Sequence, residues 1–198
     1  MSNTIPPSYQ SPISLDVCNS IDFYQHIHLD GINKGSQYNS EKKIFEVQDK
    51  IILKVNGRKY QLDEYHFHIP SEHKINGMSY EAEIHYVFIE LEQGKHTKKN
   101  DECLDICNCC GHDENILVIG RTICESEKIK DLTKIQVKIP DKYYEYDGSL
   151  TTGNYSPVRW IVGENHIHFN ITEISKIAKT SRPLQNLDGR ILLYYMDK

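Results

Sequence analysis

Three histidines within one short stretch of the chain have the types and spacing of zinc ligands. His66 and His68 flank Phe67 in an alternating, aromatic-rich segment that predicts a β-strand. Because successive side chains of a strand point to opposite faces, these two imidazoles project from the same face. His85 lies in a second predicted strand, and a hairpin-like pairing would place it opposite the other two. Three imidazoles leave one coordination position open, which is typical of catalytic rather than structural zinc.

The composition predicts a single β-rich domain over residues 1–198. A chain of 198 residues is long enough to bury a sizeable core. Alanine occurs only twice, whereas Ile, Tyr and Val are abundant, which argues against long helices. The net charge is −5 and no basic stripe is present, so nucleic-acid binding has no electrostatic support.

The pattern along the chain predicts many short strands and one short helix. We expect the helix over Glu173–Lys179, with Thr172 as its cap. The charged, cysteine-bearing patch at about 94–114 is interpreted as a surface loop. The predicted strands are Lys43–Val47, Lys50–Val55, Lys59–His68, Glu81–Leu91, Asn115–Ile123, Gln136–Lys138, Ser156–Val162, Ile167–Ile171 and Arg190–Tyr195.

The sequence contains neither a signal-peptide pattern nor an apolar stretch of transmembrane length. Residues 1–10 are polar and contain proline, without an apolar h-region. We therefore expect no membrane span and a cytoplasmic or otherwise non-secreted location.

Four ordered blocks resemble the α-class carbonic anhydrases, most closely in the bacterial style. The resemblance runs from residue 10 almost to the C-terminus, and four blocks in order are far more specific than a lone His-x-His. The blocks are Gln10-Ser-Pro-Ile13, His66-Phe-His-Ile-Pro-Ser-Glu-His73 with Glu83-Ile-His85, Tyr146-Asp-Gly-Ser-Leu-Thr-Thr152 with Val158-Arg-Trp-Ile-Val162, and Ser181-Arg-Pro-Leu-Gln-Asn-Leu-Asp-Gly-Arg190.

The resemblance implies both a fold and a reaction. The fold is a large, twisted, mostly antiparallel central sheet with few short helices. The reaction is the reversible hydration of carbon dioxide to bicarbonate by zinc-bound hydroxide, with Zn²⁺ as the cofactor. Zinc lowers the pKa of its bound water to about 7, for which carbonic anhydrase is a standard case.

The resemblance also implies roles for individual residues around the metal. His66, His68 and His85 would be the zinc ligands, although the same three could instead be core histidines of two strands. In the shell around them Glu83 would hold His85, and Glu64 stands where a glutamine usually supports His66. The hydroxide would be oriented by two further residues of the matched blocks, Thr151 and Glu72.

An apolar wall for carbon dioxide is the remaining part of the implied site. Val87, Val118, Leu150 and Trp160 would form it, with Thr152 lining the pocket at its rim. Plain core packing explains the same residues equally well, because a pocket wall and a core have the same chemistry.

Two departures from the family pattern concern proton export and the rim of the pocket. The family commonly places a shuttle histidine where this chain has Asn39–Lys43, so we expect slower turnover than in the fastest members. His26, His28 and Lys43 are weak substitutes. At the rim, Gly153-Asn replaces a proline pair, which predicts a more mobile loop.

The other histidines and the cysteines have no assigned role. His166-Ile-His168 and His26-Ile-His28 are further His-x-His motifs without a recognisable third ligand, so surface histidines are favoured over a second metal site. For the loop at 94–114 a flexible reduced segment is favoured over a metal site or a disulfide knot. Its candidate ligands are Cys103, Cys107, Cys109, Cys110 and His112.

The expected partner is a small molecule, carbon dioxide or bicarbonate, and a homodimer or larger assembly stays open. The alternative function is a carbonic anhydrase-like binding or adhesion module with weak or no catalysis. Retention of all three histidines favours the enzyme.

Overall fold

A computed structural model describes residues 9–91, 115–128 and 130–196. The described residues contain no helix long and apolar enough to cross a membrane. The predicted cysteine loop lies outside them, and the single domain over 1–198 stays a prediction. The strands are β1 Ser14–Leu15, β2 Ile21–Asp22, β3 Ile27–Asp30, β4 Ser36–Asn39, β5 Ile44–Val47, β6 Ile52–Val55, β7 Arg58–Ile69, β8 Lys74–Ile75, β9 Ala82–Glu90, β10 Ile116–Glu125, β11 Lys142–Ser149, β12 Pro157–Gly163, β13 Ile167–Phe169, β14 Lys179–Thr180 and β15 Leu193–Met196, with one helix, α1 Ile171–Ser175.

Thirteen of the described strands form one sheet, as the predicted β-rich fold requires. Its main path runs β2-β15-β11-β12-β10-β9-β7-β5-β4. Four further strands pair outside this path: β6 and β14 pair with β7, β3 pairs with β6, and β13 pairs with β10. The long central strands β7, β9 and β10 lie side by side, so residues from distant parts of the chain share one face.

The sheet is mixed rather than purely antiparallel. Most of its pairings are antiparallel, but β10 pairs parallel with both β12 and β13, β14 pairs parallel with β7, and β15 with β2. A parallel neighbour needs a crossover connection rather than a tight hairpin. The predicted large, mostly antiparallel sheet is therefore confirmed with this addition.

Two apolar clusters cover the two faces of the sheet. The larger one contains alternate residues of the central strands, such as Leu117 and Ile119 of β10. The smaller one contains the residues of opposite parity, including Val118, and adds Val87 and Trp160 from neighbouring strands. Alternation along a strand separates the two sets, and the smaller cluster lies on the face that carries the predicted zinc ligands.

Three local predictions were wrong. Residues 136–138 form no strand, whereas the unpredicted β11, Lys142–Ser149, is a central strand. Both faces of β11 are buried, because Tyr143 packs in the larger cluster and Tyr144 and Tyr146 pack in the smaller one, so its residues show no polar alternation. The helix spans Ile171–Ser175, earlier than predicted, because the side chain of Asn170 caps it by accepting the N–H of Glu173.

Candidate metal centre

Two neighbouring strands bring the three predicted zinc ligands together. His66 and His68 lie on β7, and His85 on β9 is registered directly opposite His66. All three side chains are buried, with ring centroids 4.7 to 5.4 Å apart. One ring nitrogen of each lies within 4.8 Å of one ring nitrogen of each of the others. We call these three residues the histidine triad.

Oxygen partners fix the orientation of His66 and His68. Nδ1 of His66 lies 3.1 Å from Oε1 of Glu64, and Nδ1 of His68 lies 3.2 Å from the carbonyl oxygen of Thr180. Because a carbonyl oxygen only accepts, Nδ1 of His68 carries the proton and Nε2 carries the lone pair. An ionised Glu64 imposes the same tautomer on His66.

Glu64 is held in its ionised form by its surroundings. Burial opposes its charge, but the hydrogen bond with His66 and the charges of His66, Lys179 and Lys42 outweigh burial and lower the pKa of Glu64 below its ordinary value. The carboxylate therefore acts as an acceptor, as the second ring nitrogen of a metal-binding histidine requires.

The third histidine is held by the most heavily bonded carboxylate of the site. Oε1 of Glu83 lies 3.1 Å from Nε2 of His85 and 2.7 Å from Nδ1 of His73. Oε2 accepts the backbone N–H groups of Glu72 and His73, each at 2.8 Å. Burial opposes the charge of Glu83, but the neighbouring histidines outweigh it and hold the pKa well below its ordinary value. Nδ1 of His85 is thereby left with the lone pair.

The triad fits a zinc ion. Burial lowers the pKa of His66 to about 4 and lowers that of His68 strongly, so both imidazoles are neutral at pH 7. Nε2 of His68 is buried and has no hydrogen-bond partner within residues 9–91, 115–128 and 130–196. A buried nitrogen without a partner is costly, and a metal ion would satisfy it. Three imidazoles match the ligand preference of zinc.

A second set of ligand-type atoms supports the triad rather than forming another site. His73, Glu83 and His85 also lie close enough together to hold an ion. However, Oε1 of Glu83 already serves both histidines, and Nε2 of His73 lies 2.7 Å from the hydroxyl oxygen of Tyr146. We therefore interpret this set as a hydrogen-bonded chain that orients His85.

Thr151 and Glu72 are both buried and Glu72 adjoins the triad, but their predicted mutual bond stays a prediction. Oε1 of Glu72 accepts the backbone N–H of Arg182 at 2.7 Å and lies 3.3 Å from Nδ1 of His68. Oε2 of Glu72 is buried and has no hydrogen-bond partner among the residues that the structure describes. That oxygen can therefore accept a hydrogen bond from a hydroxyl group, the role predicted for Thr151.

The predicted apolar wall is assembled next to His85. Val118 is registered between Val87 on β9 and Trp160 on β12. The ring centroid of Trp160 lies 4.8 Å from that of His85, and Leu150 packs against the same cluster. Thr152 is half-buried where the chain leaves β11. Val87, Val118 and Trp160 are thus buried in one apolar cluster beside His85, and their role as a wall for the substrate stays a prediction.

Comparison with known proteins identifies the family. The family described as eukaryotic-type carbonic anhydrase matches residues 4–195. The chain belongs to this family. The carbonic anhydrase of Neisseria gonorrhoeae is 28% identical over 149 residues, covering 71% of this chain and 58% of that protein. The enzyme of Pectobacterium carotovorum is 27% identical over 158 residues, covering 72% and 61%. The chain thus spans less than two thirds of each of these relatives.

Solved structures agree with the family fold. The α-carbonic anhydrase of Photobacterium profundum superimposes with a TM-score of 0.70 at 20% identity, covering 94% of this chain and 89% of that one. A hyperthermostable carbonic anhydrase from a hydrothermal vent chimney gives 0.69 at 27% identity, covering 96% and 88%. Dioscorin in complex with ascorbate gives 0.70 at 18% identity, covering 96% and 87%, and this likeness concerns the fold alone.

In this member of the carbonic anhydrase family, the loop that lacks the proline pair contains a cation–π contact. Gly153 adopts a positive φ of 71° with open space where a side chain would stand. Two residues later, Tyr155 also has a positive φ, and the guanidinium of Arg182 lies 4.1 Å from its ring centroid. The greater loop mobility expected from Gly153 stays a prediction.

The suggested substitutes for a shuttle histidine lie in two separate places. Lys43 lies in the turn before β5, whereas His26 precedes β3 and His28 lies within it. The ammonium of Lys43 donates a hydrogen bond to the carbonyl oxygen of Ala178 at 3.0 Å, next to β14. His26 and His28 line a separate groove of about 320 Å³ with Lys54. A proton-export role for any of the three stays a prediction.

Sequence reasoning missed two supports of the triad. Because the Thr180 partner of His68 is a backbone carbonyl, the residue type gives no sign of this contact. Thr180 does directly precede the matched block that begins at Ser181, and this position could have indicated the contact. Tyr146 was recognised only as part of a motif, whereas its hydroxyl reaches both His73 and, at 3.0 Å, the hydroxyl of Ser11.

Proposed function

We propose that this chain catalyses the reversible hydration of carbon dioxide to bicarbonate with zinc as its cofactor. The observation that carries the proposal is the convergence of three buried histidines whose oxygen partners leave one nitrogen of each available to an ion. The apolar surface of Val118 and Trp160 lies beside them, where a nonpolar substrate would bind. Family membership supports the same reaction.

The triad would hold the zinc ion through Nε2 of His66, Nε2 of His68 and Nδ1 of His85. When bound, zinc supplies a hydroxide nucleophile at neutral pH by lowering the pKa of water to about 7. Glu64, Glu83 and the Thr180 carbonyl keep the imidazoles oriented, because each accepts the second ring N–H.

Thr151 and Glu72 would fix the direction of the nucleophile. Oε2 of Glu72 would accept the hydroxyl proton of Thr151, since this buried oxygen otherwise lacks a donor. The Thr151 oxygen would then accept a hydrogen bond from the nucleophile and aim its lone pair at the substrate. The backbone N–H of Arg182 holds Glu72 in position through its other oxygen.

Carbon dioxide would bind against Val87, Val118, Leu150 and Trp160, with Thr152 at the edge of the pocket. These side chains exclude water from the substrate without competing for it by hydrogen bonds. The only polar group of Trp160, its indole N–H, is already satisfied by the carbonyl of Ser149 at 3.0 Å.

Proton export would limit the rate. Residues 39–43 contain no histidine. The ammonium group of Lys43 in this segment donates a hydrogen bond to the carbonyl oxygen of Ala178. An amine is also a poor proton carrier near neutral pH because its ordinary pKa is near 10. We propose turnover below that of the fastest members, with acceleration by added imidazole.

Metal analysis combined with stopped-flow hydration of carbon dioxide tests the proposal. We expect one zinc ion at the triad and hydration that falls in His85→Ala by more than the 10–100-fold typical of losing an outer partner. The control is Tyr24→Ala, which removes an exposed aromatic ring without an assigned role and should leave hydration unchanged. Stoichiometric zinc without hydration above background would contradict the enzyme and favour the binding module.

A further inference from the structure

A second group of metal-ligand side chains lies where β10 pairs with β13. Cys124 of β10 is registered directly beside His168 of β13 in a parallel pair. His166 lies two residues before His168, and their ring centroids are 5.1 Å apart. Cys124 is half-exposed and unoxidised, and Glu81 accepts a hydrogen bond from its thiol. Two imidazoles, a thiol and a carboxylate thus lie next to one another.

The backbone arrangement of this group repeats that of the histidine triad. In both, one histidine of a His-x-His pair is registered beside a ligand-type side chain of the neighbouring strand, although His166 itself lies one residue before β13. The centroid separation within the pair is 5.1 Å in each case. Registered residues of neighbouring strands project to the same face, so Cys124 and His168 share a face of the sheet.

The remaining His-x-His motif lacks this arrangement. His28 of β3 is registered opposite Lys54 of β6, a cation that does not bind metal ions while it is protonated. Of the two motifs without an assigned role, only His166-Ile-His168 therefore has a ligand as its cross-strand neighbour. The contrast provides an internal control.

We propose that His166, His168, Cys124 and Glu81 bind one divalent transition-metal ion of the class of Zn²⁺ or Co²⁺. Imidazole, thiolate and carboxylate in a four-ligand set suit such ions, whereas Mg²⁺ and Ca²⁺ prefer oxygen alone. The Cys124 thiol loses its proton to solvent as the sulfur–metal bond forms, so one proton is released per ion bound. The site is independent of the proposed catalytic centre.

Binding requires the side chains to draw together. The ligand atoms of this group are not yet gathered within 4.8 Å as those of the triad are. His166, His168 and Glu81 are exposed, so rotation about their side-chain bonds meets little packing resistance. The ring of Tyr80 packs on His166 with centroids 5.6 Å apart and would turn with it or release it.

Charges of both signs lie around the group. Burial and the charge of Glu81 raise the pKa of Cys124, so the thiol is protonated before a metal binds. The charge of Glu164 also acts on Tyr80 at the edge of the group. Opposing them, Lys130 donates to the carbonyl oxygen of His168 at 2.8 Å.

The test uses the full chain with every thiol except Cys124 removed. The cysteines replaced by serine are Cys18, Cys103, Cys107, Cys109 and Cys110. Co²⁺ is titrated into the metal-free protein; elemental analysis after dialysis counts the bound ions, and near-ultraviolet absorbance reports thiolate-to-cobalt charge transfer. We expect two ions per chain, with the charge-transfer band accompanying one of them.

Variants then assign the second ion. Cys124→Ser should abolish the charge-transfer band and lower the affinity for the second ion by at least about 10-fold. Replacing both His166 and His168 by Asn should abolish binding of the second ion. The matched pair His26→Asn and His28→Asn should keep both ions. His85→Ala should keep the second ion and its band, so this test is separate from that of the catalytic centre.

Two results would overturn the proposal. One is a parent chain that shows no thiolate-to-cobalt charge-transfer band, whatever the number of ions bound at the triad. The other is a second ion and charge-transfer band that survive in the double variant of His166 and His168. Both histidines are exposed, so their replacement should leave the fold intact, and far-ultraviolet circular dichroism verifies this.

Discussion

Glu64 is the residue at which the shell around the triad departs from the family pattern. A carboxylate rather than an amide lies 3.1 Å from Nδ1 of His66. An anionic partner makes an imidazole a stronger electron donor. A better donor at the metal should make the nucleophile form at a higher pH, so this one substitution adjusts the pH range of activity while leaving the ligand set intact.

Replacing Glu64 by glutamine should shift the pH–rate profile of carbon dioxide hydration toward lower pH. The amide still accepts the N–H of His66 but removes its negative charge. Stopped-flow hydration between pH 6 and 9 measures the shift, with Glu46→Gln as the control, since Glu46 is registered opposite Glu64 on β5. A profile identical to that of the parent would show that the carboxylate has no influence on the metal.

At the scale of the elements, the site depends on how closely β10 approaches β9. Gly120 of β10 is registered opposite His85. A Cβ atom at Gly120 would lie 2.9 Å from Oε1 of Glu83 and 3.6 Å from the ring of Trp160. Oε1 is the oxygen that holds both His73 and His85. The absence of a side chain on one strand therefore permits the hydrogen bonds of the next.

Gly120→Ala should weaken zinc binding by about 10–100-fold, as loss of an outer-shell partner does. The methyl group should displace Glu83 and destabilise the fold by roughly 1–3 kcal/mol through overpacking. Competition with a chelator measures the first effect and urea unfolding the second. Gly35→Ala is the control, because its added Cβ meets nothing within 4 Å. Equal zinc affinity in the two variants would refute this account of Gly120.

At the scale of the whole molecule, burying the triad makes the stability of the metal-free protein depend on pH. The pKa of His66 falls from 6.5 to about 4 through burial, despite the opposing bond with Glu64. The unfolded chain therefore takes up a proton near pH 6.5 that the folded chain refuses until about pH 4. Above pH 6.5 the imidazole is neutral in both states and does not change the free energy of unfolding. As the pH falls from 6.5 to about 4, only the unfolded chain is protonated, so the folded protein loses stability.

Metal-free protein should lose about 3 kcal/mol of unfolding free energy between pH 7 and pH 4 on account of His66 alone. Urea unfolding of chelator-treated protein at several pH values measures the loss. His66→Gln, which cannot titrate, should show a correspondingly shallower dependence. An identical pH dependence in the two proteins would contradict the assignment.

Alternation of polar and apolar residues predicted much of the sheet. It failed for a strand that is buried on both faces, because such a strand shows no alternation. Alternation identified β7, β9 and β10, because their two faces meet different surroundings. It missed β11, whose Tyr143 is buried in the cluster on one face of the sheet and whose Tyr144 and Tyr146 are buried in the cluster on the other face. The helix start was misplaced because both Asn170 and Thr172 are acceptable caps, and only the three-dimensional position of Asn170 made it the cap used.

The sequence alone determined the types and spacing of the metal ligands, since His66 and His68 share a face of any strand that contains them. It also determined the family, through four ordered blocks that the family comparison confirmed. Only the tertiary structure decided which atoms complete each group. The Thr180 carbonyl reaches His68 across 112 positions of the chain, and Cys124 meets His168 through the register of β10 and β13. Such partners are set by strand pairing, which depends on the packing of the whole sheet rather than on local spacing.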